Sequence, residues 1–243
     1  MNDWFGSNIV EPFNVFGKYH LVIIFIYIIG LLFLVIYSTK LRNKSLLNTI
    51  LRWGLFSSLI LSELSYQTWG IVNGSWNPAE FLPFQLCSIA GIIAILTLYT
   101  RNKKLIQIIF FIGIIPSFLA IITPELHHGY PHFRFWQFFL HHVLLSWASI
   151  YLVIANPFAL TLKKTLESYL YLLCYAGIIG FIMNPLANAN FLFLARAPSA
   201  NTPLNLLGNG LWYYVNLCLV GLFVFLLQYG ITRLFSRIWH KVK

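Results

Sequence analysis

Charged residues are scarce in this sequence. Only 9% of the 243 residues are charged and only six are acidic, whereas 59% are hydrophobic, and the mean hydropathy is +0.76. Soluble domains average about 25% charged residues, and a domain of this length cannot bury so much apolar surface. The composition therefore excludes a soluble globular protein and indicates an integral membrane protein.

Cysteines are also few, and no cofactor motif is visible. The three cysteines stand at unrelated positions, which gives no disulfide framework. Histidines and carboxylates could supply metal ligands, but an HExxH pattern or another close ligand spacing is missing. We expect no metal and no cofactor, and a metal site stays an alternative. Its candidate ligands are Glu63, Glu125, His127, His128, His132, His141 and His142.

Seven long apolar runs fill the chain. A bilayer core of about 30 Å requires roughly 20 apolar residues per spanning helix, and continuous apolar runs are typical of helices rather than of barrel strands. The sequence therefore predicts an all-α polytopic membrane protein, with a single transmembrane helical domain over residues 1–243. The seven predicted transmembrane helices are 19–38, 47–72, 82–99, 105–123, 132–155, 165–185 and 211–235.

The basic residues are distributed unevenly between the two sides of this predicted bundle. Thirteen of the sixteen lysines and arginines flank the first, third and fifth connections or follow the last helix, which leaves Lys18, Arg134 and Arg196 on the other side. Cytoplasmic loops carry the excess of Lys and Arg, so we predict an outer N-terminus and a cytoplasmic C-terminus. The net charge of +10 is then an orientation signal, not a sign of nucleic-acid binding.

The connections on the predicted outer side hold most of the remaining polar residues. We therefore expect chemistry or recognition to face outward. The sixth connection, at about residues 184–210, is the longest, and its Asn, Pro and Phe content predicts a folded outer cap. This cap contains Asn190, Pro198 and Pro203.

Two ionisable side chains are predicted inside the membrane. Such groups raise the free energy of membrane insertion by about 2.5 kcal/mol or more at the bilayer centre. Each therefore requires a polar partner or a functional role. With a rise of 1.5 Å per residue, Glu63 lies roughly 13 Å and His142 roughly 15 Å below the outer boundary. Because the depths match, we expect the two side chains to approach each other in the bundle interior.

A cysteine is predicted near the same outer cavity. Cys87 follows Pro83 by four residues, which places it in the first turn of the third helix. A thiol beside an imidazole is an acyl-transfer pair, because the imidazole removes the thiol proton and the thiolate attacks a carbonyl. His141 competes with His142 as the base, since helical spacing places it on the stripe of Arg134 and Gln137.

Two sequence blocks resemble one family. Residues 82–87, LPFQLC, resemble the LPxxLC helix opening of the YwaF-like bacterial membrane proteins, relatives of the eukaryotic transmembrane protein 164 acyltransferase. Residues 123–142 look like that family's block of TP, then GYPHFR, QFF and a final His. The likeness covers roughly residues 63–214. It departs at Phe191, Ala197 and 208–213, where the family has Tyr, Lys and GPWPWY.

The resemblance implies a lipid acyltransferase of the bacterial plasma membrane. Cys87 would carry the acyl chain as a thioester and His142 would be its base, because the motif's last His follows the Phe-Phe pair by three positions. Membrane phospholipids would be acyl donor and acceptor at the outer leaflet. The supporting residues are Glu63, Arg134, Gln137, His132 and Asn190.

Two other classes of function fit the same residues. A polar site of Glu63, His142 and Arg134 in a helical bundle also fits a small-molecule transporter or a ligand sensor, although no internal repeat typical of transporters is visible. If Glu63 and His142 are a structural ion pair, as buried polar pairs are in some helix bundles, the protein is a membrane scaffold without chemistry.

The uneven cation distribution makes a prediction about topology. Alkaline phosphatase fused behind Lys243 should be inactive, because that enzyme folds only after export and the C-terminus is predicted in the cytoplasm. The same enzyme inserted into the connection at 73–77 should be active. Activity at Lys243 together with inactivity at 73–77 would invert the orientation.

Overall fold

The computed structural model describes residues 2–43, 45–196 and 206–241. The cap residues Ala197, Pro198 and Pro203 lie outside these ranges, as do Lys44 and Lys243. The chain divides into two compact units, Met1–Pro157 and Phe158–Lys243. The helices of the first unit are α1 (Asn2–Phe5), α2 (Lys18–Ile36), α3 (Ser38–Arg42), α4 (Leu46–Val72), α5 (Pro78–Phe81), α6 (Leu86–Thr100), α7 (Lys103–Ile122) and α8 (Phe133–Ala155).

The second unit contains α9 (Leu162–Ile178), α10 (Asn184–Ala187) and α11 (Leu211–Lys241). A π-helical turn, Ile179–Met183, joins α9 to α10 directly before Pro185. Proline has no backbone N–H and cannot continue the regular hydrogen bonding. The loop after α10 is ordered by Asn184, whose amide accepts from the Phe191 N–H at 2.8 Å and donates to its carbonyl at 3.1 Å.

Five helical stretches in the described ranges are long and apolar enough to cross a membrane: α2, α7, α8, Leu162–Ala187 and Leu211–Leu234. The protein is thus a multi-pass helical membrane protein. Helix α6 is apolar but has only 15 residues. Helix α4 has 27 residues, but its face of Arg52, Glu63, Gln67 and several serines lowers its hydropathy. The count of seven spanning helices and the orientation therefore stay predictions.

The core of the first unit lies where α2, α7 and α8 meet. Polar side chains tie these helices together, as is usual where lipid supplies no hydrophobic force between helices. The Tyr27 hydroxyl lies 2.9 Å from the Ser146 hydroxyl, and the Trp147 indole donates to the Tyr27 carbonyl at 3.2 Å. The buried apolar cluster around them consists of Ile23, Tyr27, Ile121, Phe135, Phe139 and Val143.

Helix α6 is held against α4 at its C-terminal end. The Arg52 guanidinium donates to the Leu98 and Tyr99 carbonyls, both at 2.6 Å. These carbonyls belong to the last turn of α6, where no intrahelical N–H reaches them. Arg52 thereby holds the C-terminal end of α6 against α4. This contact also sets the position of the start of α6.

Helices α7 and α8 approach closely at a glycine. A Cβ atom at Gly113 would lie 2.2 Å from the Ser149 hydroxyl oxygen, a separation that no packed structure tolerates. That hydroxyl cannot move freely, since it donates to the Leu145 carbonyl at 2.7 Å. The contact between α7 and α8 therefore requires glycine at position 113.

This contact predicts the effect of one methyl group. Gly113→Ala should lower the free energy of unfolding by about 1–3 kcal/mol, because the added carbon forces the two helices apart. Gly54→Ala is the matched control, since a Cβ there meets nothing within 4 Å. Reversible unfolding in mixed detergent micelles measures both. Equal stability of the two variants would contradict the close approach.

Candidate functional site

A row of polar side chains runs between α4 and α8 in the first unit. The Arg134 guanidinium donates to the Gln137 side-chain oxygen, and the Gln137 amide donates to the Ser62 carbonyl at 3.3 Å. The Ser62 hydroxyl lies 3.5 Å from Nδ1 of His141. Residues 134, 137 and 141 share one face of α8, so the stripe predicted from the sequence is a connected row in the structure.

The row ends at the helix that carries the candidate nucleophile. Cys87 is the second residue of α6, a free thiol that is half-buried. One turn later, a Cβ atom at Gly91 would lie 3.1 Å from Cε1 and 3.2 Å from Nε2 of His141. The His141 ring therefore packs directly against the backbone of α6, on the face that Cys87 and Gly91 share.

The two ring nitrogens of His141 have different surroundings. The residue is buried, and the Cys87 carbonyl lies near enough to its ring to act electrostatically as a hydrogen-bond acceptor. Within the described residues, however, no hydrogen bond of acceptable geometry reaches Nε2. Buried polar atoms without a partner are rare and call for an explanation.

His142, the base favoured by the sequence motif, has different surroundings. Its Nδ1 lies 2.7 Å from the Phe138 carbonyl, and because a carbonyl only accepts, Nδ1 carries the hydrogen. The ring packs on Phe138, with 4.2 Å between ring centroids. Both contacts of His142 lie within α8, whereas the ring that contacts α6 is that of His141. A catalytic role of His142 stays a prediction.

Glu63 lies beside the same row. Its carboxylate accepts from the Gln67 amide at 2.9 Å, and that amide also donates to the Phe81 carbonyl at 2.8 Å. The carboxylate acts electrostatically on His141 and on Arg134. The neighbour expected for Glu63 was His142, but the histidine whose surroundings include Glu63 is His141.

Arg134 is held between aromatic rings at the first turn of α8. Its guanidinium carbon lies 4.1 Å from the centre of the Tyr66 ring and 5.5 Å from that of Trp69. Such stacking stabilises a guanidinium on the negative face of the ring. The charge of Arg134 is therefore fixed at one end of the row, two helical turns from His141.

An N-terminal strap, residues 4–13, crosses the adjoining ends of α4 and α8. Six hydrogen bonds join its backbone to the C-terminal end of α4 and to the segment before α8. The Phe5 carbonyl accepts from the Trp69 indole at 2.7 Å and from the Asn73 amide at 3.1 Å. The Gly6, Ser7 and Glu11 carbonyls accept from His132 at 2.8 Å, His128 at 3.4 Å and Gly129 at 2.7 Å, and the Phe13 N–H donates to the His127 carbonyl at 3.0 Å. Aromatic residues such as Trp4, Phe5 and Phe13 predict a leading segment that lies along the membrane interface, but they do not predict its attachment to α4 and α8.

Two stacked histidines hold the strap. Nδ1 of His132 accepts from the Arg134 N–H at 3.1 Å, which caps α8, while the opposite nitrogen donates to Gly6. The rings of His128 and His132 stack at 4.2 Å. Burial lowers the pKa of His128, and the neighbouring His132 lowers it further. Burial also lowers the pKa of His132, with a smaller contribution from Arg134.

Asn190, the predicted supporting residue of the cap, belongs to the second unit. Its side-chain oxygen accepts from the backbone N–H groups of Ala195 at 3.0 Å and Arg196 at 2.9 Å. It orders the loop in which it lies, and its role in chemistry stays a prediction. In the described part of the chain, no group of three or more His, Cys, Asp or Glu side chains is arranged to hold a metal ion.

Comparison with known proteins gives one match. The sequence model of the TMEM164 family matches residues 15–229, which include the row, Cys87 and both histidines. No curated protein and no solved structure matches the sequence significantly.

The histidine pair predicts a pH-dependent strap. When the strap and residues 127–132 are unfolded, both rings titrate near the ordinary value of about 6.5. In the folded state burial lowers both pKa values, and the hydrogen bonds to Ser7 and Gly6 offset only part of this effect. Attachment is therefore strongest above pH 6.5 and weakens as the pH falls below it, because the detached state binds more protons.

Hydrogen exchange of the two amides that bond across the strap contact, those of Phe13 and Gly129, measures this effect. After correction for the chemical exchange rate, their protection should be lower at pH 5 than at pH 7.5. His128→Gln removes one titrating ring and should flatten the dependence. Equal protection at both pH values in the unmodified protein would contradict the account.

Proposed function

The chain belongs to the TMEM164 family, and we propose that it is a membrane acyltransferase that moves a fatty acyl chain between lipids through a thioester on Cys87. The observation that carries the proposal is the buried Nε2 of His141, which makes no hydrogen bond of regular geometry within the described residues and packs against Gly91, one turn after Cys87 in α6. A base next to a thiol is what thiol-dependent acyl transfer requires.

The first half of the reaction loads the enzyme. In the tautomer in which Nδ1–H donates to Ser62, Nε2 of His141 keeps a lone pair and accepts the thiol proton of Cys87. The thiolate attacks the ester carbonyl of a phospholipid, and a carbon–sulfur bond forms as the ester C–O bond breaks. The leaving lysophospholipid oxygen takes the proton back from His141. The products are the acyl-Cys87 thioester and a lysolipid.

The second half transfers the chain to an acceptor. A lysolipid hydroxyl gives its proton to His141 and attacks the thioester carbonyl. The Cys87 thiolate leaves and recovers the proton from the imidazolium. No oxidant, metal or cofactor is needed, because each bond that breaks is matched by one that forms.

The surrounding groups support this chemistry by position and charge. The Glu63 carboxylate, which acts on the His141 ring, would stabilise the imidazolium that forms in each half. Cys87 lies in the first turn of α6, where the helix dipole favours a thiolate by about 0.3–1 kcal/mol. Gln137 and Ser62 hold the ring in one orientation.

The location that we propose rests on the orientation predicted from the cations, and the substrate class is the one that the family resemblance implies. The row lies in the half of α8 that starts at Phe133, the end predicted to face outward from the cation distribution. We therefore place the reaction at the outer leaflet of the cell membrane, with phospholipids as donor and acceptor.

The test compares both histidines in one assay. Transfer of a labelled acyl chain from phospholipid to lysophospholipid is followed with purified protein in nanodiscs. His141→Gln should reduce the rate about 10²-fold or more, the usual effect of losing a general base, while His142→Gln should change it little. Cys87→Ala should abolish transfer, and Cys174→Ser is the matched cysteine control, since Cys174 is exposed in α9.

Each outcome separates the alternatives. Loss in His142→Gln with activity kept in His141→Gln would make His142 the base, as the sequence motif predicted. Full activity in Cys87→Ala would defeat the proposal. Lower thermal stability of the histidine variants with no transfer in any protein would favour a scaffold.

A further inference from the structure

The Arg134 guanidinium has more donors than partners. It carries five N–H donors, and within the described residues its one hydrogen bond goes to the Gln137 side chain. None of its nitrogens is among the sealed polar atoms that lack a hydrogen bond of regular geometry in the described residues. The unpaired donors of Arg134, which is a partly buried residue, are therefore not fully sealed from the surroundings.

The aromatic rings set the direction of these donors. Tyr66 lies 4.1 Å from the guanidinium carbon and Trp69 lies 5.5 Å from it, both measured to the ring centres. Rings that contact the flat face leave the N–H edge for a ligand in the guanidinium plane. A planar fork of this kind matches the oxygens of a phosphate, which it binds through two parallel hydrogen bonds.

The charges around Arg134 leave room for an anion. The carboxylates of Glu63 and Glu80 act on the guanidinium at a distance, but the Glu63 oxygen accepts from Gln67 and Glu80 is exposed. Arg134 is also the second residue of the 23-residue helix α8, whose N-terminus favours negative charge. The first turn of α8 thus combines a fixed cation with a helix start.

The spacing along α8 fits a phospholipid. Arg134 precedes His141 by seven residues, about 10 Å along the helix. The headgroup layer extends about 5–7 Å beyond the hydrocarbon core on each side of a bilayer. A lipid ester placed at Cys87 and His141 therefore directs its phosphate outward along α8, and the long arginine side chain spans the remaining distance.

We propose that Arg134 binds the phosphodiester of the phospholipid substrate and makes the site selective for phospholipids over neutral glycerolipids. That the bound phospholipid is a substrate rests on the proposed function, but the binding itself does not require catalysis. Arg134 is then a ligand-binding residue, in addition to its contact with Gln137.

The test measures binding with a lipid that cannot react. Diether phosphatidylglycerol has a phosphodiester but no acyl ester, and dialkylglycerol is its neutral counterpart. Binding of each to the purified full-length protein is followed by lipid titration and native mass spectrometry. Unmodified protein should bind the diether phospholipid at least tenfold more tightly than the neutral lipid, and Arg134→Gln should abolish this preference.

Two variants serve as controls. Arg134→Lys keeps the charge but loses the fork, so an intermediate preference is expected. Arg196→Gln changes the net charge equally at an exposed arginine in the second unit and should leave the preference intact. A thermal melting profile like that of unmodified protein establishes that Arg134→Gln is folded.

The outcomes separate this inference from the proposed function. An unchanged preference in Arg134→Gln would overturn the inference whether or not the protein transfers acyl chains. Competition by inorganic phosphate at the same concentration as the lipid would also overturn it, since the site would then bind free phosphate. Loss of the preference in a protein without transferase activity would support the inference and defeat the proposed function.

Discussion

The first unit depends on pairing the polar side chains that α4 and α8 carry into apolar surroundings. An unpaired polar group in such surroundings costs several kcal/mol. Arg134, Gln137 and Ser62 meet this constraint by bonding to one another and to the next member of the row. The row ends at Nε2 of His141, which has no partner in the described residues. A buried base without a partner lowers the stability of the fold, but its free lone pair can accept a proton in a reaction.

The rest of the unit holds this row against α6. At one end, Arg52 binds the last carbonyls of α6 and ties that helix to α4. At the other end, the N-terminal strap is bound across α4 and α8 by backbone hydrogen bonds and by His132. Between these ends, Gly91 allows the His141 ring to touch the α6 backbone. The His141 imidazole is thus placed against the first turns of α6, the helix that bears Cys87, by helices that are distant in sequence.

Much of this arrangement could be predicted from the sequence, and some of it could not. Apolar runs predicted the helices, Pro83 predicted Cys87 in a first turn, and helical spacing predicted the stripe that ends at His141. The histidine facing α6 could not be predicted, because adjacent residues point about 100° apart and the rotation of α8 is set by packing at Gly91. The attachment of the strap could not be predicted, because its hydrogen bonds join segments more than 60 residues apart, which leave no local pattern.

The central claim is that Cys87 carries the acyl chain, and intact-protein mass spectrometry tests it most directly. Protein incubated with a phospholipid of defined chains and quenched in acid should gain the mass of one acyl group on Cys87. Neutral hydroxylamine should release that group, since thioesters react with it under mild conditions. Acyl transfer that proceeds without any adduct on Cys87, or with an adduct on another residue, would contradict the account.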